Sequence, residues 1–257
     1  MIKIVVMAQK GGVGKTTTAA TLAAALAEKG KRVLCIDLNE QGDLTDTLAA
    51  AAGSGGSLEL FAGTPAAQLI RKTGTPGIDI IAGADNLATL EAAIEPAAKG
   101  RAFTLLAALK PVRGKYNYCI IDAPGAFNVA SVNALTAADS VIIPAQADYY
   151  SLKNITTLIK NIRYVKQNLN PVLIVDGILL TRYQGRRNIS KTAADTLEAA
   201  REALGTRLFN AKIRENVKIA EAPGRRSTVI QYAPASKGAE DYRAFIKEYM
   251  NILRERM

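Results

Sequence analysis

The sequence has 257 residues, of which 33 are Lys or Arg, 23 are Asp or Glu and none is His, so its formal net charge is +10. Without histidine the chain can form neither a Ser-His-Asp triad nor a histidine-liganded metal site. The hydrophobic fraction of 49%, with no run of 18 apolar residues and no signal-peptide pattern, predicts one globular cytoplasmic domain over residues 1–257.

In chain order, short apolar runs alternate with helical patterns, which is typical of βαβ units. The predicted strands are 3–8, 32–37, 78–82, 118–122, 140–144 and 172–181. The predicted helices are 15–29, 86–94, 103–110, 129–137, 151–168, 189–204 and 239–256. We therefore expect an α/β fold with a predominantly parallel, twisted β-sheet and helices on both faces. Cys35 and Cys119 lie inside two of these strands and are predicted to be small core residues.

The glycine-rich segment 9–17, Gln-Lys-Gly-Gly-Val-Gly-Lys-Thr-Thr, connects the first predicted strand to an alanine-rich helical pattern. A strand, a glycine-rich turn and a helix in this order place backbone N–H groups and a helix N-terminus around an anion. Lys15 is placed to reach the β- and γ-phosphates of a nucleotide, and the Thr16 hydroxyl to hold Mg²⁺. The common pattern has glycine where this chain has Gln9. The predicted nucleotide-binding residues of this loop are Gly11, Gly12, Val13, Gly14, Lys15, Thr16 and Thr17.

Residues 10–17 resemble the deviant Walker A motif of the ParA/MinD family of P-loop ATPases, whose additional lysine is Lys10 in this chain. Segments 37–43, 119–125, 219–223 and 236–240 resemble further motifs of that family, and the similarity is greatest to the Soj-like ParA partition ATPases. The resemblance implies a P-loop NTPase fold that uses ATP and Mg²⁺. It also implies an ATP-dependent homodimer in which Lys10 acts catalytically by reaching the partner's phosphates.

Two predicted strands end in aspartate, and the chain departs from the family beside one of them. Asp122 is predicted to hold Mg²⁺ through water, and Asp37 is predicted to belong to both the metal site and the catalytic site. In the family the motif at 37–39 reads Asp-x-Asp, and its second aspartate activates the attacking water. This chain has Asn39 there, whose neutral amide accepts no proton, so we expect hydrolysis to be slower by about 10²–10⁴.

We therefore expect the chain to accumulate in the ATP-bound dimer. Two origins of Asn39 stay open: a substitution introduced to trap the state before hydrolysis, or a natural protein that is a slow switch.

The basic excess is concentrated in residues 182–226, which contain eleven basic and five acidic residues. Few aromatic residues accompany them, so contact with the phosphate backbone of double-stranded DNA is favoured over base stacking, although a plain solvated surface is the alternative. The predicted DNA-binding residues are Arg186, Arg187, Lys191, Lys218, Arg225 and Arg226. The resemblance also implies nonspecific DNA binding by the dimer, and it suggests Thr181 and Arg214 as nucleotide contacts near the adenine.

Three alternatives remain at this point. A MinD-like positioning ATPase would bind membranes through an added amphipathic helix, whereas the chain ends within the predicted helix 239–256, which has the spacing of a core helix. An iron–sulfur reductase would need exposed paired cysteines. An ATPase that positions a cargo other than DNA would use the same switch.

The predicted first strand begins directly after Met1, so we expect no DNA-binding extension ahead of it. The resemblance implies a nucleoid-associated protein whose release is stimulated by a ParB-like, centromere-binding partner. Chromosome, plasmid and integrated mobile element all remain possible as the cargo.

Overall fold

The computed structural model describes residues 1–84, 99–146, 149–184 and 191–256, with the backbone alone at 99, 149–153 and 191–196. Within these residues an eight-stranded sheet has the order β3-β4-β2-β5-β1-β6-β7-β8. Every neighbouring pair is parallel except β3 with β4. The strands are β1 Ile2–Val6, β2 Val33–Asp37, β3 Ile70–Lys72, β4 Ile78–Ile81, β5 Tyr118–Asp122, β6 Ser140–Gln146, β7 Ile174–Tyr183 and β8 Leu208–Arg214.

Helices connect the strands and cover both faces of the sheet. They are α1 Lys15–Glu28, α2 Asp43–Thr47, α3 Ser57–Phe61, α4 Ala66–Leu69, α5 Thr104–Leu109, α6 Val129–Ala137, α7 Tyr149–Asn168, α8 Lys191–Leu204, α9 Val217–Glu221, α10 Val229–Tyr232 and α11 Lys237–Glu255, with 3₁₀ turns at Lys99–Phe103, Lys110–Val112 and Pro223–Arg225. The predicted α/β class is confirmed. The predicted helix 86–94 lies outside the described residues.

Two apolar layers lie on opposite faces of the sheet because successive side chains of a strand point in opposite directions. Ile4 and Val6 of β1 pack with α1 and α11, whereas Val5 packs with α6 and α7. Cys35 belongs to the first layer and Cys119 to the second, and both thiols are free and fully buried. The prediction that the cysteines are core residues is confirmed.

The prediction missed the two outermost strands, β3 and β8. β8 is an edge strand, and Phe209 and Ile213 are its buried residues. Its sequence therefore lacks the continuous apolar run that marks the central strands. Gly177 of β7 accommodates Phe209, because a Cβ there would lie 2.6 Å from the Phe209 ring. β3 has only three residues and pairs antiparallel with β4, so the βαβ pattern in the sequence does not predict it.

The carboxyl ends of the parallel strands meet at one edge of the sheet, where Asp37, Asp122 and Gln146 each end a strand. Ligand sites in parallel α/β sheets form at this edge. Among the described residues, no helix is both long enough and apolar enough to cross a membrane.

Candidate functional site

The loop between β1 and α1 borders an open cleft. Gly12 and Gly14 have left-handed backbone conformations, with φ of 72° and 85°, which favour glycine. A Cβ at Gly11 or Gly12 would meet no atom within 4 Å, so the loop faces open space. Helix α1 begins directly after Gly14 with no side-chain cap and no acidic residue in its first turn, so its N-terminal N–H groups remain available to a ligand.

Two side chains from neighbouring strand ends hold the carbonyls of this loop. The Gln146 side-chain amide donates to the Gly12 carbonyl over 3.1 Å, and the Thr181 hydroxyl donates to the Val13 carbonyl over 2.8 Å. Because these carbonyls point towards β6 and β7, the peptide N–H groups opposite them are free to face the cleft. Thr181, predicted near the adenine, therefore contacts the loop itself.

The two lysines of the loop lie close together. The Lys10 ammonium donates to the Gln146 side-chain oxygen over 3.2 Å, and Lys15 makes a long contact of 3.5 Å with the Lys10 carbonyl. Burial lowers the pKa of Lys15, and the negative charges of Asp122 and Asp43 oppose that shift. A bound polyanion would therefore stabilise the charged form of Lys15.

Thr16 and Asp122 meet at a buried position suited to a hydrated cation. The Thr16 hydroxyl donates to one Asp122 carboxylate oxygen over 2.7 Å, and the other oxygen has no hydrogen-bond partner among the described residues. Asp122 is fully buried, and burial, followed by the charge of Asp37, raises its pKa to about 7. A buried carboxylate oxygen without a partner is costly. A hydrated Mg²⁺ would satisfy it, so these residues fit the metal.

Asp37 is fully buried, and its carboxylate organises the loop between β2 and α2. One oxygen accepts the Asn39 backbone N–H over 3.1 Å, and the other accepts the Thr45 N–H and hydroxyl over 3.0 and 2.8 Å. Burial raises the pKa of Asp37, and these hydrogen bonds oppose the shift. The Gly83 N–H in turn donates to the Thr45 hydroxyl over 2.9 Å. The structure thus brings Asp37 into contact with the segment that carries Asn39.

Asn39 lies at the wall of the cleft, beside the end of β5. Its side-chain amide donates weakly to the Asp122 backbone carbonyl over 3.4 Å. The segment after Asp122 closes the same wall, since a Cβ on Gly125 would lie 2.8 Å from the Gln9 carbonyl. Asn39 therefore faces the space that the glycine-rich loop surrounds.

These elements line a cleft of about 920 Å³, which extends from the glycine-rich loop to the segment 213–223. At its far end the cations are paired within the chain. Arg214 donates through two nitrogens to Asp241, at 2.6 and 2.9 Å, and Arg182 lies 2.9 Å from Glu215. Arg214 was predicted to contact nucleotide, and the structure places it on the cleft wall with its guanidinium bound to Asp241.

Comparison with known proteins agrees with this geometry. The AAA domain family matches residues 1–175. The chain is 36% identical over 248 residues to the sporulation initiation inhibitor protein Soj of Bacillus subtilis, covering 95% of this chain and 96% of that protein. It is also 36% identical over 257 residues to the chromosome partitioning protein ParA of Caulobacter vibrioides, covering 96% and 93%. This chain belongs to the Soj/ParA family of P-loop ATPases.

A solved structure similar to this Soj/ParA-family chain contains a nucleotide. It is cobyrinic acid a,c-diamide synthase from Mycobacterium smegmatis with a bound ATP analog and magnesium, with a TM-score of 0.81 and 30% sequence identity, covering 100% of this chain and 98% of that one. The P-loop fold expected from the sequence is therefore confirmed.

The structure describes only part of the predicted DNA-binding set of this Soj/ParA-family chain. Lys218 lies 2.7 Å from Glu221 and above the Tyr232 ring. Arg225 and Arg226 are exposed around the 3₁₀ turn that follows α9. Arg186, Arg187 and the Lys191 side chain lie outside the described residues.

Sequence reasoning missed two residues that position the site, Gln146 and Thr45. Gln146 is a polar residue at the end of an apolar strand, which is the pattern that singled out Asp37 and Asp122. Thr45 carried no comparable signal, because its role depends on the turn that folds it back onto Asp37.

Proposed function

We propose that this chain is an ATP-dependent switch for DNA segregation. ATP with Mg²⁺ binds in the cleft and closes a homodimer, which binds double-stranded DNA nonspecifically and is released when a ParB-like partner stimulates hydrolysis. The main structural support is the phosphate end of the cleft, where the glycine-rich loop, Lys15, Thr16 and the unpartnered Asp122 oxygen lie together. The extensive similarity to Soj and ParA supports the role in segregation.

Each predicted phosphate contact has a defined part in this proposal. Backbone N–H groups at the start of α1 bind the phosphates, and Lys15 neutralises the oxygens between the β- and γ-phosphates. Thr16 and Asp122 hold hydrated Mg²⁺, which neutralises developing phosphate charge when it is bound. Asp37 holds the loop that carries Asn39 through its bonds to Asn39 and Thr45.

Lys10 is the residue through which the two subunits communicate. Its ammonium donates to the Gln146 side chain, which in turn holds the Gly12 carbonyl of the glycine-rich loop, and in the dimer it would turn to the phosphates of the second subunit. There it would stabilise negative charge as an arginine finger does.

Asn39 keeps this switch in its ATP-bound form. Its amide can hydrogen-bond a water but cannot take a proton from it. Because the phosphate contacts do not involve Asn39, nucleotide binding is retained while hydrolysis is slow.

DNA contact is assigned to the exposed Arg225 and Arg226, with Lys218, and to Arg186, Arg187 and Lys191. Such contacts to phosphates are independent of sequence and weaken steeply with salt. Two copies of the surface in a dimer would strengthen binding by multivalency.

The test is binding of a labelled duplex without nucleotide, with ADP and with ATP, at two salt concentrations. We expect ATP with Mg²⁺ to strengthen binding by on the order of 10²-fold or more at the higher salt, because two linked surfaces then act together. The Lys15→Ala variant, which keeps every proposed DNA contact, should lose the ATP effect. Binding that is equal in all three nucleotide states would contradict the switch.

A MinD-like membrane role is the competing proposal, and the packing of α11 argues against it. The large apolar residues of this helix are buried against the sheet, and Phe245 and Tyr249 among them are fully buried. They are therefore not available to a lipid surface. Flotation with anionic liposomes in the presence of ATP, without any DNA binding, would favour the membrane role instead.

A further inference from the structure

A second basic surface lies at the edge of the sheet opposite the nucleotide cleft. The Arg32 N–H donates to the Asn117 side-chain oxygen over 2.8 Å, and the Asn117 N–H donates to the Arg32 carbonyl over 2.8 Å. The following residues, Val33 and Tyr118, are paired in the register of β2 and β5. Since paired strands are about 4.8 Å apart, the basic loops that precede β2 and β5 lie side by side.

A third segment, the end of α11, reaches the same edge. Ile252 and Leu253 of α11 belong to the same apolar layer as Tyr118, the first residue of β5, so the adjacent Arg254 lies near that end of the strand. The positive charge of Arg254 also opposes the rise that burial causes in the pKa of the Tyr118 hydroxyl. We call the resulting surface the basic pole. It consists of six exposed cations, Lys29, Lys31, Arg32, Arg113, Lys115 and Arg254.

The charges of the basic pole are poorly compensated. The exposed carboxylates in its three segments are Glu28 and Glu255. In the part of the chain that the structure describes, none of the six cations forms a salt bridge. By contrast, Arg182, Arg214 and Lys218 near the cleft all pair with carboxylates. The pole therefore presents a positive field to an external anion.

The chemistry of the pole fits the phosphate backbone of a duplex better than a membrane. Lipid surfaces are bound most firmly when apolar side chains insert beside the cations. The large exposed apolar residues of the described chain all lie outside the three segments: Phe103, Phe127, Tyr164, Val172, Ile174 and Val217. Val172 and Ile174 are at the same edge of the sheet, at the start of β7, but β1 and β6 separate that strand from β5. Stacking on single-stranded bases would likewise need exposed aromatic residues there.

We propose that the basic pole is a second binding surface for the phosphate backbone of double-stranded DNA. It goes beyond the proposed function, because it is present without nucleotide and lies away from the segment 182–226. In the proposed dimer the two clefts face each other, so two poles point outward at opposite ends. A dimer bound to one duplex would then hold a second one.

The first test uses nucleotide-free protein and a labelled duplex, with affinity measured across a salt series. The variant Lys31→Ala/Lys115→Ala is compared with the charge-matched control Lys160→Ala/Lys166→Ala on α7. Each lost phosphate contact lowers the slope of log affinity against log salt by about 0.9, so we expect the pole variant to lose about 2 from the slope. The control should match the unaltered protein.

Equal slopes for the pole variant and the unaltered protein would overturn the proposal. The vesicle control measures flotation with phosphatidylserine-containing vesicles. If flotation depends on the pole and DNA binding does not, the ligand of the pole is an anionic membrane and the proposal is wrong. Thermal melting of both variants checks that they are folded.

The second test measures bridging. Protein with ATP and Mg²⁺ is bound to a bead-attached duplex, and capture of a second, labelled duplex is recorded. The pole variant should keep ATP-dependent binding to the beads but lose most of the capture, whereas full capture would contradict bridging. If ATP does not strengthen DNA binding by the unaltered protein, the proposed function is wrong. The salt slopes of the nucleotide-free proteins still test whether the pole binds DNA.

Discussion

The two ends of the nucleotide cleft differ in how their charges are satisfied. At the phosphate end, one Asp122 oxygen has no partner among the described residues, and α1 begins without a cap. At the far end, Arg182 and Arg214 are matched by Glu215 and Asp241. An unmet group gains most from a ligand, whereas a paired group has to lose one partner to gain another. We therefore assign most of the binding energy to the phosphate end.

The largest expected effect comes from removing the charge at the phosphate end. Lys15→Ala should weaken ATP binding by about 100-fold, because a charge-assisted contact to phosphate contributes about 3 kcal/mol. The matched control is Arg182→Ala, which removes a cation from the far end. Titration with a fluorescent ATP analogue measures the affinity of both variants. Equal losses of affinity would contradict the assignment of most binding energy to the phosphate end.

A second prediction concerns the pH dependence of Mg²⁺ binding. The pKa of Asp122 is raised to about 7, so below that pH the carboxyl is protonated. It then has to release its proton to solvent before it can meet a metal ion. The apparent Mg²⁺ affinity should fall by about tenfold per pH unit below about pH 7 and level off above it.

The control for this pH dependence is Asp122→Asn, which cannot ionise at this position. Titration of the nucleotide's own phosphates is common to both proteins, so the difference between their profiles isolates Asp122. Profiles of the same shape would show that Asp122 is not the group that meets the metal.

A smaller effect is expected from the hydroxyl that holds the glycine-rich loop. Thr181→Val removes the donor to the Val13 carbonyl with little change in volume, and should weaken ATP binding about fivefold, equivalent to one hydrogen bond of about 1 kcal/mol. Thr136→Val is the matched control, because the buried Thr136 hydroxyl has no partner among the described residues. A loss of affinity in the Thr136 variant as large as in the Thr181 variant would argue against a specific contact.

The smallest effect on nucleotide binding is expected at the far end. Arg214→Ala should change ATP affinity by less than about threefold, because the guanidinium is already bound to the buried Asp241 carboxylate and would have to leave it to reach a ligand. Its melting temperature should fall instead, because Arg214 connects β8 to α11. A large loss of ATP affinity without a change in melting temperature would give Arg214 a direct role at the nucleotide.

The phosphate end could be predicted from the sequence because its signals are local. The glycines, Lys15 and Thr16 are consecutive, and Asp122 ends an apolar strand, so periodicity and spacing are sufficient to place them. The central strands were predicted for the same reason, since their apolar runs are continuous.

The far end and the positioning residues could not be predicted because they depend on long-range pairing. The partner of Arg214 is 27 residues away along the chain, and Gln146 reaches Gly12 across 134 residues. The basic pole has the same origin, because the pairing of β2 with β5 brings Lys31 and Lys115 to one edge. Sequence spacing contains no information about such contacts until the strand order is known.

The most direct test of the account is the steady-state rate of ATP hydrolysis by this chain beside Asn39→Asp, with ATP affinity measured for both. The Lys15→Ala protein supplies the background rate. We predict equal ATP affinities and a hydrolysis rate about 10²–10⁴-fold higher in the aspartate variant, since aspartate but not asparagine can accept a proton from water. Equal hydrolysis rates in the two proteins would contradict it.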